Sequence, residues 1–410
     1  MSDWTSFGLR ESGGLSGRAR IEELPPLLAD LVGLGQRRSI EPVVGITTDG
    51  TVRSGLYELG PTGQSTAAVT DAAMNLLSLL AEDQRQRLVF PLGSAEQRLW
   101  FNIHPNVLRH GLLLEDLPAD TRQAALGIVQ ASLSDRGFQQ ARDIMRINGL
   151  LVALTDRPDE FGEWPYWFSL FGSPSSDEPW GWQIDGHHLN LNCLVLGDRL
   201  VITPSFMGSE PCHIHHGPLA GTAVLVLEER SGLDLIRSFD DRQLAEAVLY
   251  DSIEPGHLPK ELQHPIDGRM VAGAFQDNAT IACQGVRGDG MSDAQQRLLR
   301  QLIGSYVGWA DDGHAGVQMT EVSEHLDETY FCWMGSRSDD GPFYYRVQSP
   351  VVLIEFDHHP GIVFDNPVPS RNHIHSILRA PNGGDYGVDL LSQHYERYDH
   401  AHGDHRPHPH

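Results

Sequence analysis

A polar and aromatic run, Trp180–Asn192, constrains the fold of this chain more than any other stretch. In an extended chain the side chains alternate between two faces, so His188, Asn190 and Asn192 share one face. A buried row of imidazole and amide groups needs hydrogen-bond partners, a metal or a polar ligand. The run therefore predicts a strand with a polar face that serves a site.

A second cluster of histidines and carboxylates lies far down the chain. His373 and His375 are two residues apart and share a face if this segment is a strand. Glu355 and Asp357 likewise share a face of the preceding strand, and an antiparallel neighbour would place these carboxylates beside the imidazoles. Such nitrogen and oxygen donors bind zinc, iron or manganese. The two clusters together predict one metal site.

The candidate site residues follow from this arrangement. The expected metal ligands are His187, His188, His373 and His375. A carboxylate that is not a ligand can act as general base or hold a ligand imidazole by its second nitrogen. The candidate catalytic residues are accordingly Glu355 and Asp357, with Arg379 further along the face of the two histidines. The candidate substrate-binding residues are Gln183, Asn190, Asn192, Tyr345 and Arg346.

No short motif identifies the type of site, because the chain has no H-E-x-x-H, no G-x-S-x-G and no phosphate loop. The alternative is that the histidines are core residues, hydrogen-bonded to Asp185 and to the two carboxylates. A third cluster, His213, His215 and His216, lies in a Gly- and Pro-rich stretch and predicts an exposed turn rather than a second metal site.

Charge and cysteine content narrow the function classes. The chain has 410 residues and a formal charge of −25, which argues against a nucleic-acid backbone or an anionic membrane surface as partner. Small molecules or other proteins remain, and a small-molecule substrate is the expected partner. Its four cysteines include no C-x-x-C pair, so neither a zinc ribbon nor a disulfide framework is indicated. No apolar run approaches about 18 residues and no leader pattern is visible. We expect a cytoplasmic protein.

The secondary structure that the sequence pattern predicts changes near residue 160. Helical periodicity dominates before it, and short β-rich segments dominate after it. The prediction is an α+β fold, with a helical N-terminal lobe packed on a mainly antiparallel β-rich C-terminal lobe that carries the histidine site. The expected units are a flexible N-terminus (1–20), the helical lobe (21–158), the α+β lobe (159–395) and a histidine-rich tail (396–410).

Several local elements can also be predicted. A hairpin should turn at Gly197-Asp198, and Ser292 should cap a helix over 294–309. The largely apolar run 221–229 predicts a further strand. The C-terminal segments 350–357 and 372–379 should pair as neighbours in an antiparallel meander.

Three functions are compatible with these residues. The leading hypothesis is a metal-dependent enzyme that hydrolyses a small polar molecule through a metal-activated water, with zinc as the expected ion. The second is a non-haem oxidoreductase, for which iron or copper would be the ion; manganese is a further possible ion. The third is a non-catalytic protein that stacks a ligand on aromatic side chains: Trp180, Trp182, Tyr344 and Tyr345.

The chain also resembles a known family, called domain of unknown function 3500. The segments that carry the resemblance are 45–50, 180–192, 203–208, 217–218, 344–346, 354–357, 372–376 and 385–387. The resemblance implies that Gly-His-His and Asn-His-x-His occur together, and it implies no reaction. The cluster His213–His216 and the histidine-rich tail depart from the family pattern.

Overall fold

The computed structural model describes residues 7–11, 23–103, 108–263 and 267–398. Most of the predicted flexible N-terminus (1–20) and of the histidine-rich tail (396–410) lies outside these ranges. Within the described residues the chain contains both long helices and a large, mainly antiparallel sheet. The predicted α+β class is therefore confirmed, whereas the lobe boundary near residue 158 stays a prediction.

The strands are short, and most are between five and eight residues long. Their bounds are β1 Val89–Phe90, β2 Leu112–Leu113, β3 Trp167–Phe171, β4 Trp180–Gly186, β5 Leu189–Leu196, β6 Arg199–Val201, β7 Ser205–Ser209, β8 Val248–Tyr250, β9 Val286–Arg287, β10 Tyr330–Gly335, β11 Phe343–Gln348, β12 Leu353–His358 and β13 Ile374–Arg379.

The described residues form ten α-helices. Their bounds are α1 Pro26–Ser39, α2 Ala67–Leu79, α3 Glu82–Leu88, α4 Ala119–Ser132, α5 Asp135–Thr155, α6 Val226–Arg237, α7 Asp241–Ala247, α8 Asp293–Val307, α9 Asp312–Glu324 and α10 Val388–Arg397. Among the described residues, none of the helices has the length and apolar character needed to cross a bilayer.

All described strands belong to one sheet. The order is β1-β3-β4-β5-β7-β13-β12-β11-β10-β8. Three short strands lie off this path: β2 pairs with β3, β6 with β5 and β9 with β10. The pairs are antiparallel except β1 with β3 and β8 with β10. The strands next to the two histidine regions, β5 and β13, are separated only by β7, so the sheet brings these regions close together although they are far apart in sequence.

One face of the sheet is apolar and packs against helices. Trp182 on β4 donates a hydrogen bond from Nε1 to Ser132 Oγ of α4 at 3.0 Å. The hydroxyl of Tyr345 on β11 lies 2.7 Å from that of Tyr306 on α8. These large side chains are fully buried and belong to the main hydrophobic core.

The opposite face is polar and is covered mainly by irregular segments. Phe206 and Ile377 on this face pack against Trp100, Phe101 and Phe275 in a smaller core. Because β-strand side chains alternate, the candidate carboxylates, the histidine of β13 and the asparagines of β5 all belong to this second face. The site thus lies between the sheet and loops, on the side away from the helical layer.

The local predictions have mixed outcomes. The hairpin at Gly197-Asp198 joins β5 to β6, and Ser292 caps α8 by accepting from Gln295 N. The pairing of β12 with β13 is antiparallel as predicted. The prediction of a strand over 221–229 was wrong, because Val226 begins α6. Buried tertiary partners of Glu228 and Glu229 stabilise the helical turn there, and such partners override the β propensity of the apolar run.

Candidate metal centre

Three imidazoles converge on the polar face of the sheet. His188 occupies the two-residue turn between β4 and β5 with φ 62, and His375 lies on β13 with His373 just before it. The Nε2 atom of His373 is 3.1 Å from the Nε2 atoms of both His188 and His375. Two nitrogen ligands of a tetrahedral zinc ion, each about 2.0–2.1 Å from the metal, are separated by about 3.3 Å. The spacing therefore suits a shared ion.

The three imidazoles form one compact group. Their ligand atoms lie within 4.8 Å of one another, and the three side chains are buried. Burial, followed by the neighbouring imidazoles, lowers the pKa of His188 well below its usual range. Burial, followed by His359, lowers the pKa of His375 in the same direction. These two histidines are accordingly neutral at pH 7, which is the form that binds metals.

Gly208 has no side chain, and this leaves space for the cluster. Gly208 on β7 lies between the histidine regions and is paired with His375 across the strands. A Cβ at this position would lie 3.2 Å from His188 Cδ2, 3.3 Å from His375 Cδ2 and 2.6 Å from the carbonyl oxygen of Ile374. Glycine therefore permits the two rings to approach each other above the sheet.

The hydrogen bond on the far side of His373 identifies its tautomer. Its Nδ1 lies 2.8 Å from the carbonyl oxygen of Pro360, and since a carbonyl only accepts, Nδ1 carries the proton. In the neutral ring Nε2 then has one lone pair and no proton. One lone pair accepts a single well-formed hydrogen bond, yet two imidazole nitrogens lie at 3.1 Å from it. Both contacts are compatible with a shared cation, which would take a lone pair from each ring.

Carboxylates lie behind two of the imidazoles. Asp267 Oδ1 is 3.6 Å from Nδ1 of His375, and it accepts a hydrogen bond from Asn102 Nδ2 at 3.0 Å. Glu210 Oε2 is 3.6 Å from Nδ1 of His373. Carboxylates in this position orient ligand imidazoles and raise their basicity in metal sites.

His187 is not part of the converging group. Its ring stacks on that of His188 with centroids 4.0 Å apart, and its Nδ1 lies 2.8 Å from Asn148 Oδ1. The structure brings together three of the four predicted ligands, and the fourth packs behind them.

The two candidate catalytic carboxylates anchor the segment that covers the site. Glu355 accepts hydrogen bonds from the backbone nitrogens of Val271 and Ala272 and from the Tyr344 hydroxyl. Asp357 pairs with Arg269, whose Nη2 is 2.6 Å from Oδ1. Burial raises the pKa of both carboxyls. Neither belongs to the group of converging nitrogens, although Asp357 is paired with His375 in the sheet.

The candidate arginines have partners of their own. Arg379 is fully buried and pairs with Asp277 and Asp385 at 2.7 Å each. Arg346 donates to Gln284 Oε1 at 2.9 Å and to the carbonyl of Ala282. Both guanidinium groups thus hold loops against the sheet.

The candidate substrate-binding residues divide between the two faces. Gln183 and Asn192 lie on the polar face and hydrogen-bond to each other at 2.5 Å. Asn190 donates to Asp185 on the same face. Tyr345 lies on the helix-covered face and donates to the carbonyl of Glu228 at 2.9 Å, so the structure does not bring it to the histidines.

The aromatic residues considered for ligand stacking are all in the interior. Trp180, Trp182 and Tyr345 lie in the core against the helices, and Tyr344 donates to Glu355. The third histidine cluster forms a separate group at the surface: His213 and His215 have ring centroids 6.5 Å apart, and His215 and His216 are exposed.

Sequence reasoning missed four residues next to the converging imidazoles. Asp267 and Glu210 are isolated acidic residues in irregular stretches, and nothing in their local sequence marks them. Asn102 lies in the polar and aromatic stretch that begins at Trp100, which carries no recognisable site motif. Gly208 ends the Pro-Ser-Phe-Met-Gly run, where a glycine inside a strand signals close approach of other groups.

Comparison with known proteins adds a family. A family model described as "Protein of unknown function (DUF3500)" matches residues 62–388, which include the three converging histidines. The search of curated proteins found no match, and neither did the search of solved structures.

Proposed function

The chain belongs to the DUF3500 family, and since that membership carries no activity, we propose from the site alone that the protein is a metal-dependent hydrolase of a small polar molecule. One divalent ion, with zinc as the expected metal, would be held by His188, His373 and His375.

The observation that carries the proposal is the position of three Nε2 atoms around one point. His373 offers only a lone pair there, because its proton is on the Nδ1 that donates to Pro360. Its single lone pair accepts one well-formed hydrogen bond, so hydrogen bonding at His373 Nε2 serves either His188 Nε2 or His375 Nε2 but not both. A buried polar group that is left without a partner costs about 1–3 kcal/mol. An ion satisfies all three nitrogens at once.

The ligand set favours a reactive ion over a purely structural one. Structural zinc sites have four protein ligands, usually with cysteine, whereas catalytic sites have three and keep one position open. The group found among the described residues contains three imidazoles and no thiolate or carboxylate. Zinc held in this way would lower the pKa of water to about 7 and would so supply a nucleophile at neutral pH.

The surroundings support the same role. Asp267 and Glu210 lie behind His375 and His373, where they would hold the rings in position and fix which nitrogen faces the ion. The oxidative alternative is best served by two histidines and a carboxylate ligand. Both of these carboxylates lie on the Nδ1 side of the rings, so hydrolysis is the better-supported chemistry.

Metal content tests the proposal directly. Untagged full-length protein should retain about one zinc per chain after dialysis against a weak chelator, measured by elemental mass spectrometry. His375→Ala and His373→Ala should each lose the ion, whereas the tail variant His408→Ala should keep it. Zinc-loaded protein should hydrolyse p-nitrophenyl acetate, and the two site variants should not. Equal metal content in all four proteins would refute the assignment, and stoichiometric iron or copper would favour the oxidative alternative.

A further inference from the structure

Two buried amide oxygens beside the histidine cluster have no hydrogen-bond partner among the described residues. They are Oδ1 of Asn102 and Oδ1 of Asn190, in side chains that are 1% and 0% exposed. We infer that these oxygens form a substrate subsite next to the metal, and that this subsite takes a hydrogen-bond donor, either a hydroxyl or a protonated amine. The inference rests on the proposed function, because it describes which substrate the same centre would accept.

The identity of each oxygen follows from its neighbour. The Nδ2 atom of Asn102 lies 3.0 Å from Asp267 Oδ1, and that of Asn190 contacts Asp185 Oδ1. A carboxylate accepts hydrogen bonds and does not donate them, so the amide must present nitrogen to it in both cases. The remaining atom of each amide is therefore an oxygen, which needs a donor.

Both asparagines are connected to the converging imidazoles. The backbone nitrogen of His188 donates to the carbonyl oxygen of Asn102 at 3.2 Å. The amide of Asn102 reaches Asp267, which lies behind His375. Asn102 is thus joined to two of the three expected ligands.

Asn190 lies on the same polar face, two residues along from His188. It pairs with Phe206 on β7, whose ring centroid is 5.2 Å from that of His375. The backbone nitrogen of Phe101 donates to the Asp185 oxygen that Asn190 also contacts, which brings the segment of Asn102 alongside Asn190. The two unpartnered oxygens therefore belong to one region of the site.

The charges of this region select against anions. Each asparagine is held by an aspartate, so acceptor groups surround the subsite. The nearby cation Arg269 is paired with Asp357, and Arg379 is paired with two further aspartates. A carboxylate or phosphate between these two oxygens would meet acceptors, whereas a hydroxyl would satisfy one of the oxygens and an ammonium group could satisfy both.

A set of hydroxamates with a common metal-binding group isolates the subsite. Acetohydroxamate serves as the reference, glycolohydroxamate adds a hydroxyl, glycine hydroxamate adds an ammonium group and malonate monohydroxamate adds a carboxylate. Dissociation constants for zinc-loaded protein are measured by isothermal titration calorimetry. We expect the hydroxyl and ammonium compounds to bind about tenfold more tightly than acetohydroxamate, as one added hydrogen bond allows, and the carboxylate compound to bind more weakly.

Single-site variants test whether the asparagines cause the preference. Asn190→Ala and Asn102→Ala should each bring the ratio of the glycolohydroxamate and acetohydroxamate constants close to one. Using a ratio removes any general change in metal affinity or folding. Asn278→Ala is the matched control, because both ends of that amide have backbone partners and it should keep the wild-type ratio.

The outcomes separate the two proposals. If zinc and acetohydroxamate bind but the four compounds do not differ, or if the asparagine variants keep the preference, the subsite is refuted and the metal centre stands. If stronger binding of the carboxylate compound is found, the predicted substrate class is refuted. If the wild-type protein retains no ion, the proposed function fails and the subsite fails with it.

Discussion

The carboxylate of Asp267 lies 3.6 Å from Nδ1 of His375, on the side of the ring opposite to the Nε2 that faces His373. The relationship spans 108 residues of sequence and joins a loop to the central strand β13. It places a negative charge behind a histidine whose other nitrogen points into the cluster.

Asp267→Asn should weaken metal binding by about 10- to 100-fold without abolishing it. The neutral amide removes the charge that orients His375 and raises the basicity of its ring. A competitive titration with a chromogenic chelator measures the affinity. Asp49→Asn, which changes an exposed aspartate distant in sequence from the site, should retain the wild-type value. An unchanged affinity in Asp267→Asn would show that the carboxylate has no role in holding the ion.

Gly208→Ala should lower metal content and also destabilise the fold by about 1–3 kcal/mol. The added methyl group meets the carbonyl oxygen of Ile374 at 2.6 Å and the rings of two expected ligands at 3.2–3.3 Å. Elemental analysis and urea denaturation measure the two effects. Gly127→Ala on α4 is the control: its added Cβ meets nothing within 4 Å, so this variant should be neutral or slightly stabilising. Full metal content in Gly208→Ala would contradict the position of the ion above this glycine.

Arg379→Ala should act on stability, with a loss of about 3–5 kcal/mol, because it leaves Asp385 buried without its cation and removes one of the two arginines that pair with Asp277. Burial raises the pKa of Asp385 to about 6, although Arg379 opposes that shift. Urea denaturation gives the change in unfolding free energy. Arg300→Ala, on the exposed side of α8, should change it by less than about 0.5 kcal/mol. A stable Arg379→Ala protein that binds metal but lacks activity would instead support the catalytic role first assigned to Arg379.

Glu229 should make part of the stability dependent on pH. Burial opposes its ionisation, but hydrogen bonds from His358 and Arg371 lower the pKa of Glu229 to about 2. Because the folded-state pKa lies below the unfolded value of about 4.3–4.5, this contribution is fully present above pH 4.5 and is lost as the pH falls towards 2. Its upper limit is about 3 kcal/mol.

The measurement compares unfolding free energies of wild type and Glu229→Gln between pH 6 and pH 3. The difference between the two proteins should be largest at pH 6 and should shrink as the pH falls. Glu254→Gln, which changes an exposed carboxylate, should differ from wild type by the same small amount at every pH. A constant difference for Glu229→Gln would contradict the lowered pKa.

Much of the candidate centre could be predicted from local sequence. Strand alternation placed His373 and His375 with Glu355 and Asp357 on neighbouring strands, and the register of β12 with β13 agrees with that prediction. The same rule could have separated Tyr345 from Arg346, since adjacent residues of a strand lie on opposite faces. For His187 and His188 the rule did not apply, because both residues form the turn between β4 and β5.

The sequence by itself determined the fold class, the polar run around His188 and the spacing of His373 and His375, because short-range periodicity and turn residues encode these features. Only the tertiary structure decided that β7 lies between β5 and β13, that Gly208 leaves room for the imidazoles, and that Asp267 and Glu210 lie behind them. The physical reason is that sequence periodicity is a short-range property, which predicts only the face that a side chain occupies on its own strand. The partners of that side chain depend on long-range strand order and loop packing.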